Sequence, residues 1–196
     1  MVFALVGNNS VQGEKNTTYT YTIPGLVKNL TVDNITTTSV SLNWQKPDGN
    51  ADSYMIQVLE DPSFNRIVNT TLNTIGGFTP GYYYTFTVFA LVGNNSVQGK
   101  KITIFTYTKP EIVGNLRKLN ATTTSVSLSW EKPIGNSSSY LIKILEDPTF
   151  SKVVFTTFDT ILGLTPGYYY TFMVFALVGN NSVQGEKNTT YTYTSE

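Results

Sequence analysis

Thr79-Pro80-Gly81-Tyr82-Tyr83-Tyr84-Thr85-Phe86-Thr87-Val88-Phe89-Ala90-Leu91-Val92-Gly93-Asn94-Asn95-Ser96 is the stretch that decides how this chain folds. Tyr84, Phe86, Val88 and Ala90 alternate with Thr85, Thr87, Phe89 and Leu91, the period of a strand with one buried face. Pro-Gly punctuates the entry and Gly-Asn-Asn-Ser the exit, so the strand starts after a tight turn and ends in a hairpin loop. The stretch returns at Thr165 to Ser182 with one change, Met173 for Thr87, and Met1 to Thr22 repeats Met173 to Thr194 without a substitution.

The spacing is 86 residues, and Ile23 to Thr108 aligns with Lys109 to Thr194 without a gap, 56 of 86 positions matching. The chain therefore divides into a partial repeat at 1–22, expected to be the closing hairpin of a preceding domain, and two whole repeats at 23–108 and 109–194. Such periods announce arrays, which span or bind far more often than they catalyse. Within a repeat, Val40, Leu42 and Trp44 alternate with polar residues, as do Val126, Leu128 and Trp130, and Tyr54, Ile56 and Val58 mark another strand. Breaks at Lys46-Pro47-Asp48-Gly49-Asn50 and Glu60-Asp61-Pro62 fall every 8 to 12 residues or so, the rhythm of an all-β sandwich. The junctions Thr22-Ile23-Pro24-Gly25 and Thr108-Lys109-Pro110-Glu111 are short and stiffened by proline, so successive domains are expected end to end.

Composition excludes several functions. Charged residues make up 13% of the chain, net charge is zero, and no basic cluster exceeds two adjacent residues. The electrostatic footprint of a nucleic-acid or anionic-lipid binder is missing. No apolar run nears the roughly 18 residues of a membrane span. Without His or Cys there is no Ser-His-Asp triad, no thiol chemistry and no ordinary zinc site. Neither catalytic residues nor a cofactor are expected. Glu60-Asp61 and Glu146-Asp147, each followed by Pro, read as strand-ending turns. A calcium site is not expected either, because Asp48 and Asp52 become Ile134 and Ser138 in the second repeat.

Thr36-Thr37-Thr38-Ser39-Val40-Ser41-Leu42-Asn43-Trp44, Tyr54-Met55-Ile56 and Phe78-Thr79-Pro80-Gly81-Tyr82-Tyr83-Tyr84 together resemble a fibronectin type III domain, and Leu164-Thr165-Pro166-Gly167 followed by Tyr170 resembles it more closely. The resemblance implies two complete immunoglobulin-like sandwiches plus the N-terminal partial hairpin. It also implies that Tyr84 and Tyr170 are corner tyrosines and that Trp44 and Trp130 are core tryptophans, expected to be buried beside them. The repeats are similar as well to those of receptor-type tyrosine phosphatase ectodomains. The Arg-Gly-Asp triplet of fibronectin's integrin-binding loop is absent from Val92-Gly93-Asn94-Asn95-Ser96-Val97-Gln98-Gly99.

Two kinds of surface site remain. Asn-x-Ser/Thr occurs ten times, at Asn94, Asn180, Asn34, Asn120, Asn8, Asn16, Asn29, Asn69, Asn136 and Asn188, where 18 Asn and 45 Ser plus Thr predict about four by chance. Glycans on these asparagines would place the chain outside the cell; the alternative is that a Thr- and Asn-rich β surface generates such triplets by itself. Met55, Leu59, Phe89, Leu91, Phe175 and Leu177 are expected to form an outward apolar stripe able to contact protein. The loop that follows the deciding strand is identical in both repeats, which suits a repeated contact better than distinct ligands. The expectation is a non-enzymatic extracellular structural repeat, part of a glycosylated fibre or stalk, whose partner is further copies of the repeat head to tail. The alternative is a ligand-binding or adhesion segment of a receptor ectodomain.

Overall fold

The computed structural model describes residues 5–6, 11–12 and 17–196. Among these every regular element is a strand. Leu5–Val6 (β1) pairs antiparallel with Val11–Gln12 (β2). Residues 1–4, 7–10 and 13–16 of the partial repeat, with Asn8 and Asn16, lie outside the described residues, and residues 17–22, expected to complete the hairpin, carry no strand.

The first domain has β3 (Lys28–Ile35), β4 (Ser39–Gln45) and β7 (Leu72–Gly76) in one sheet, ordered β3-β4-β7. The facing sheet is ordered β10-β8-β5-β6, from β5 (Ser53–Val58), β6 (Asp61–Val68), β8 (Tyr83–Val92) and β10 (Ile102–Tyr107), with the two-residue β9 (Val97–Gln98) also on β8. The second domain repeats this as β11 (Gly114–Ala121), β12 (Ser125–Glu131) and β15 (Phe158–Leu162) against β13 (Ser139–Ile144), β14 (Ser151–Val154), β16 (Tyr169–Val178) and β17 (Val183–Tyr193). All pairings are antiparallel, in the three-on-four arrangement of an immunoglobulin-like sandwich.

Alternation decides the core. Val40, Leu42 and Trp44 of β4 meet Tyr54, Ile56 and Val58 of β5 and Phe86, Val88 and Ala90 of β8, all nearly inaccessible to solvent. Val126, Leu128, Trp130, Tyr140, Ile142, Phe172 and Val174 do the same in the second domain. The corner tyrosines fall as the family resemblance implies: Thr79 N–H donates to the Tyr84 hydroxyl and Thr165 N–H to that of Tyr170, both at 3.0 Å. The tryptophans find their aromatic partners elsewhere. Trp44 packs edge to face on Tyr54 (centroids 5.5 Å apart) and Trp130 on Tyr140 (5.4 Å), because β5 and β13 face β4 and β12 across the sandwich.

The hairpin tip needs unusual backbone. Gly93, Asn94 and Asn95 all have positive φ, between 52° and 67°, and Gly179, Asn180 and Asn181 are positive too. Glycine and asparagine enter this region at least cost, so Gly-Asn-Asn builds a tip that most sequences would resist. Ser53 Oγ donates to Asn95 Oδ1 at 2.6 Å, and Ser139 makes the same bond to Asn181, anchoring each tip to the base of its sandwich.

Candidate contact surfaces

The outer face of the four-stranded sheets differs from the expectation of an open apolar stripe. Phe89, Leu91 and Leu177 do point away from the core residues Val88, Ala90 and Ala176, but they are only 1–3% exposed. For Phe89 a long neighbour supplies the cover. Phe89 is in register with Met55, and the Lys101 ammonium lies 5.0 Å from its ring centroid while donating to Gln57 Oε1 at 3.0 Å. The lysine stem thus roofs the ring and keeps its charge in water. Phe175, half-buried, carries Lys143 at 6.0 Å in the same manner. Met55 is half-buried, and of the six residues Leu59 alone is open, at 69% exposure.

The carboxylate pairs are turn chemistry. Glu60 Oε2 accepts Thr85 N–H at 2.8 Å and Glu146 Oε2 accepts Thr171 N–H at 2.7 Å, tying each turn to the neighbouring strand. Burial tends to raise the Glu146 carboxyl, but the hydrogen bonds from Thr171 outweigh it and hold the group below its ordinary value. Asp147 is also lowered, by the side-chain and backbone donors of Thr149. Asp52 Oδ2 accepts Gly93 N–H at 2.9 Å, and Asp48 pairs with Lys28 at 2.6 Å.

Geometry separates the candidate glycan sites. Asn94 and Asn180 stand at the hairpin tips, and Asn34, Asn69 and Asn120 are exposed. The amide nitrogens of three others are engaged: Asn29 Nδ2 donates to Gln45 Oε1 at 2.8 Å, Asn136 Nδ2 to Gly81 O at 3.3 Å, and Asn188 Nδ2 to Val113 O at 2.8 Å. A sugar is attached at this same nitrogen, so the triplet alone could not rank these sites.

The junction between the domains is where chain and packing converge. Lys109 belongs to the first domain through both backbone groups, donating to Thr36 O at 3.0 Å and accepting from Gly81 N–H at 3.1 Å. The next residue, Pro110, is buried, and its carbonyl presses on Gly185 of the second domain so closely that a side chain there would collide. No slack residue remains between the two bodies. Across the gap Pro80 O accepts Asn136 N–H at 3.0 Å, and Gly81 O accepts the Asn136 side chain. Gly81 (φ +72°) and Gly135 (φ +87°) meet here: a Cβ on Gly81 would strike the Asn136 carbonyl, and one on Gly135 the Pro80 carbonyl. The Tyr107 ring, at the end of β10, lies so close to Gly179 that an added Cβ would come within 2.9 Å of it. Tyr21 meets Gly93 at the near end of the first domain in the same way. The Pro80–Gly81 and Gly135–Asn136 approach is not legible in the sequence because it depends on backbone carbonyls and on glycines that leave room for them.

Two three-on-four sandwiches in series, each with a corner tyrosine and a core tryptophan, define a tandem immunoglobulin-like module. The chain belongs to the fibronectin type III domain family, which matches residues 24–105 and 109–192. It is 35% identical to the receptor-type tyrosine-protein phosphatase eta of Gallus gallus over 94% of its own length, and 33% identical to the receptor-type tyrosine-protein phosphatase H of Homo sapiens over 85%. It spans only 14% and 16% of those proteins. Its fold is similar to a two fibronectin type-III domain segment from chicken tenascin, with a TM-score of 0.56 and 23% identity, covering 86% of this chain and 99% of that one. Domains of this family are non-catalytic modules. Among the described residues no helix is long and apolar enough to cross a membrane.

Proposed function

We propose that this segment is an extracellular structural repeat, a stiff spacer within a glycosylated fibre or stalk, whose neighbours are further copies of the same repeat head to tail. The observation that carries the reading is the use made of the shared loop. The Gly-Asn-Asn-Ser tip, identical in both repeats, is spent on an internal bond to Ser53 or Ser139 and on the bed for Tyr21 or Tyr107, rather than held out as a variable recognition loop. The carbohydrate is assigned first to Asn94 and Asn180, then to Asn34, Asn120 and Asn69, whose side chains are exposed.

Small-angle scattering of the secreted chain, with mass spectrometry of its glycopeptides, tests this. The expected result is an elongated particle of two domains in line, with sugar at the tip asparagines. A compact particle, or tip asparagines unmodified after secretion, contradicts it.

The match to receptor phosphatases over most of this chain favours a second reading, the adhesion or ligand-binding segment of a receptor ectodomain. Its contact patch would centre on Leu59 with Met55. Cell attachment to immobilised chain, lost on Leu59→Lys, would support this second reading.

A further inference from the structure

The joint between the domains has two complementary halves, and each is built a second time in the same chain. The half on the first domain is the Pro80–Gly81 turn with Tyr107. It is held by Tyr82 N–H donating to Thr108 Oγ1 at 3.1 Å, by Thr108 Oγ1 donating to Thr79 O at 2.7 Å, and by Gly81 N–H on Lys109 O. The far end of the second domain has the same parts in the same bonds. Tyr168 N–H donates to Thr194 Oγ1 at 2.9 Å, Thr194 Oγ1 to Thr165 O at 2.6 Å, and Gly167 N–H to Ser195 O at 3.1 Å. Gly167 keeps φ +66° beside the +72° of Gly81. Tyr107, against the Gly179 tip, is half-buried, whereas Tyr193 is 64% exposed.

The opposite half is likewise present at the near end of the first domain. Gly49 has φ +84°, as Gly135 has +87°, and Asn50 follows it as Asn136 follows Gly135. Among the described residues nothing lies within 4 Å of a Cβ placed on Gly49. A Cβ on Gly167 would meet only the Glu196 side chain, at an ordinary 3.6 Å, so both loops keep positive φ without a close contact across a joint.

We propose that the far face of the second domain, Pro166–Gly167 with Tyr193, is a docking surface for another copy of this repeat. The incoming copy sets its Gly-Asn turn on the Pro166 and Gly167 carbonyls and its Gly-Asn-Asn-Ser tip under Tyr193. Because the halves are identical at every step, each copy adds with the same rotation and translation, giving a regular rod. This rests on the spacer reading above and adds to it the partner surface and the repeat geometry. The contact is small, by analogy with the joint above one backbone bond and one bond from the asparagine side chain. It works between domains already joined by chain, where the effective concentration is in the millimolar range.

The test is a chain carrying residues 109–194 once more after Thr194, with domain orientations read from residual dipolar couplings. The expected result is that the rotation from second to third domain equals that from first to second, and that Gly167→Ala frees the third domain alone. A third domain that tumbles independently while the first two stay fixed overturns the proposal and leaves the spacer reading standing. The proposal falls equally if Gly167→Ala, with its fold checked by amide spectra, leaves the outer orientation unchanged. If all three domains tumble independently, the stiff-spacer reading falls as well.

Discussion

Tyr54 and Tyr140 are the same residue one repeat apart, each almost fully buried against its tryptophan, yet their hydroxyls fare differently. The Tyr140 hydroxyl shares a 3.1 Å hydrogen bond with Ser137 Oγ, whereas that of Tyr54 is buried without a protein partner because position 51 is alanine. Burial accordingly raises the Tyr54 phenol above its ordinary value. The joint shows the same contrast. Gly135 is locked against Pro80, while its counterpart Gly49 has open space around it among the described residues. The two domains share a core and a fold, and differ in whether particular polar and backbone groups find a partner. Shared apolar alternation sets the sandwich, and these partnerships distinguish one repeat from the other.

The largest effect should erase the contrast. Trp44→Ala and Trp130→Ala each empty the centre of a small core and are expected to cost about 3 to 5 kcal/mol, most of one domain's stability. Calorimetry should show one transition lost or strongly lowered while the other persists.

The next pair isolates the joint. Gly49→Ala costs the strain of a left-handed alanine, roughly 1 to 2 kcal/mol. Gly135→Ala costs that and also forces Pro80 away, so it alone should loosen the two domains. Equal melting shifts, with the domain orientation unaltered in both variants, would show that the glycine contact does not couple the bodies.

Smaller still is the tyrosine pair. Tyr140→Phe should cost about 1 kcal/mol for a lost hydrogen bond, and Tyr54→Phe should be neutral or slightly stabilising, because the hydroxyl it deletes is unpaired. Ala51→Ser should bring Tyr54 into line with Tyr140. Denaturant midpoints of each domain measure all three.

The smallest effect concerns Glu146. Its carboxyl is held below its ordinary value when folded, so it contributes stability above the unfolded pKa of about 4.3, and that contribution disappears as pH falls through the lower folded value. The group is mostly exposed, so Glu146→Gln should cost the second domain about 0.5 kcal/mol or less at pH 7 and nothing at pH 2. Melting curves of the variant and parent at the two pH values give the comparison.

Much of the fold is legible in the sequence because it follows from period and punctuation. The alternation around Trp44 and Tyr84, the Pro-Gly turns and the 86-residue repeat all resolve without three-dimensional information. What stays hidden depends on which neighbours cross a gap. Alternation tells that Phe89, Leu91 and Leu177 face away from the core, but not that all three are buried, Phe89 beneath Lys101. The tryptophan's aromatic partner is on β5 or β13, a choice set by sheet stacking. The engaged amides of Asn29, Asn136 and Asn188 look like any other Asn-x-Ser/Thr triplet. The joint is hardest of all to foresee, since two glycines announce turns and say nothing of a carbonyl from another domain lying against them.

The proposed stiff unit of two domains, joined through Pro80, Gly81, Gly135 and Asn136, is tested most directly by residual dipolar couplings for the chain in a dilute aligned medium. Both domains are expected to fit a single alignment tensor, with the orientation set by the Pro80–Asn136 bond. Two tensors of clearly different magnitude, one per domain, would mean that the domains move independently and would contradict it.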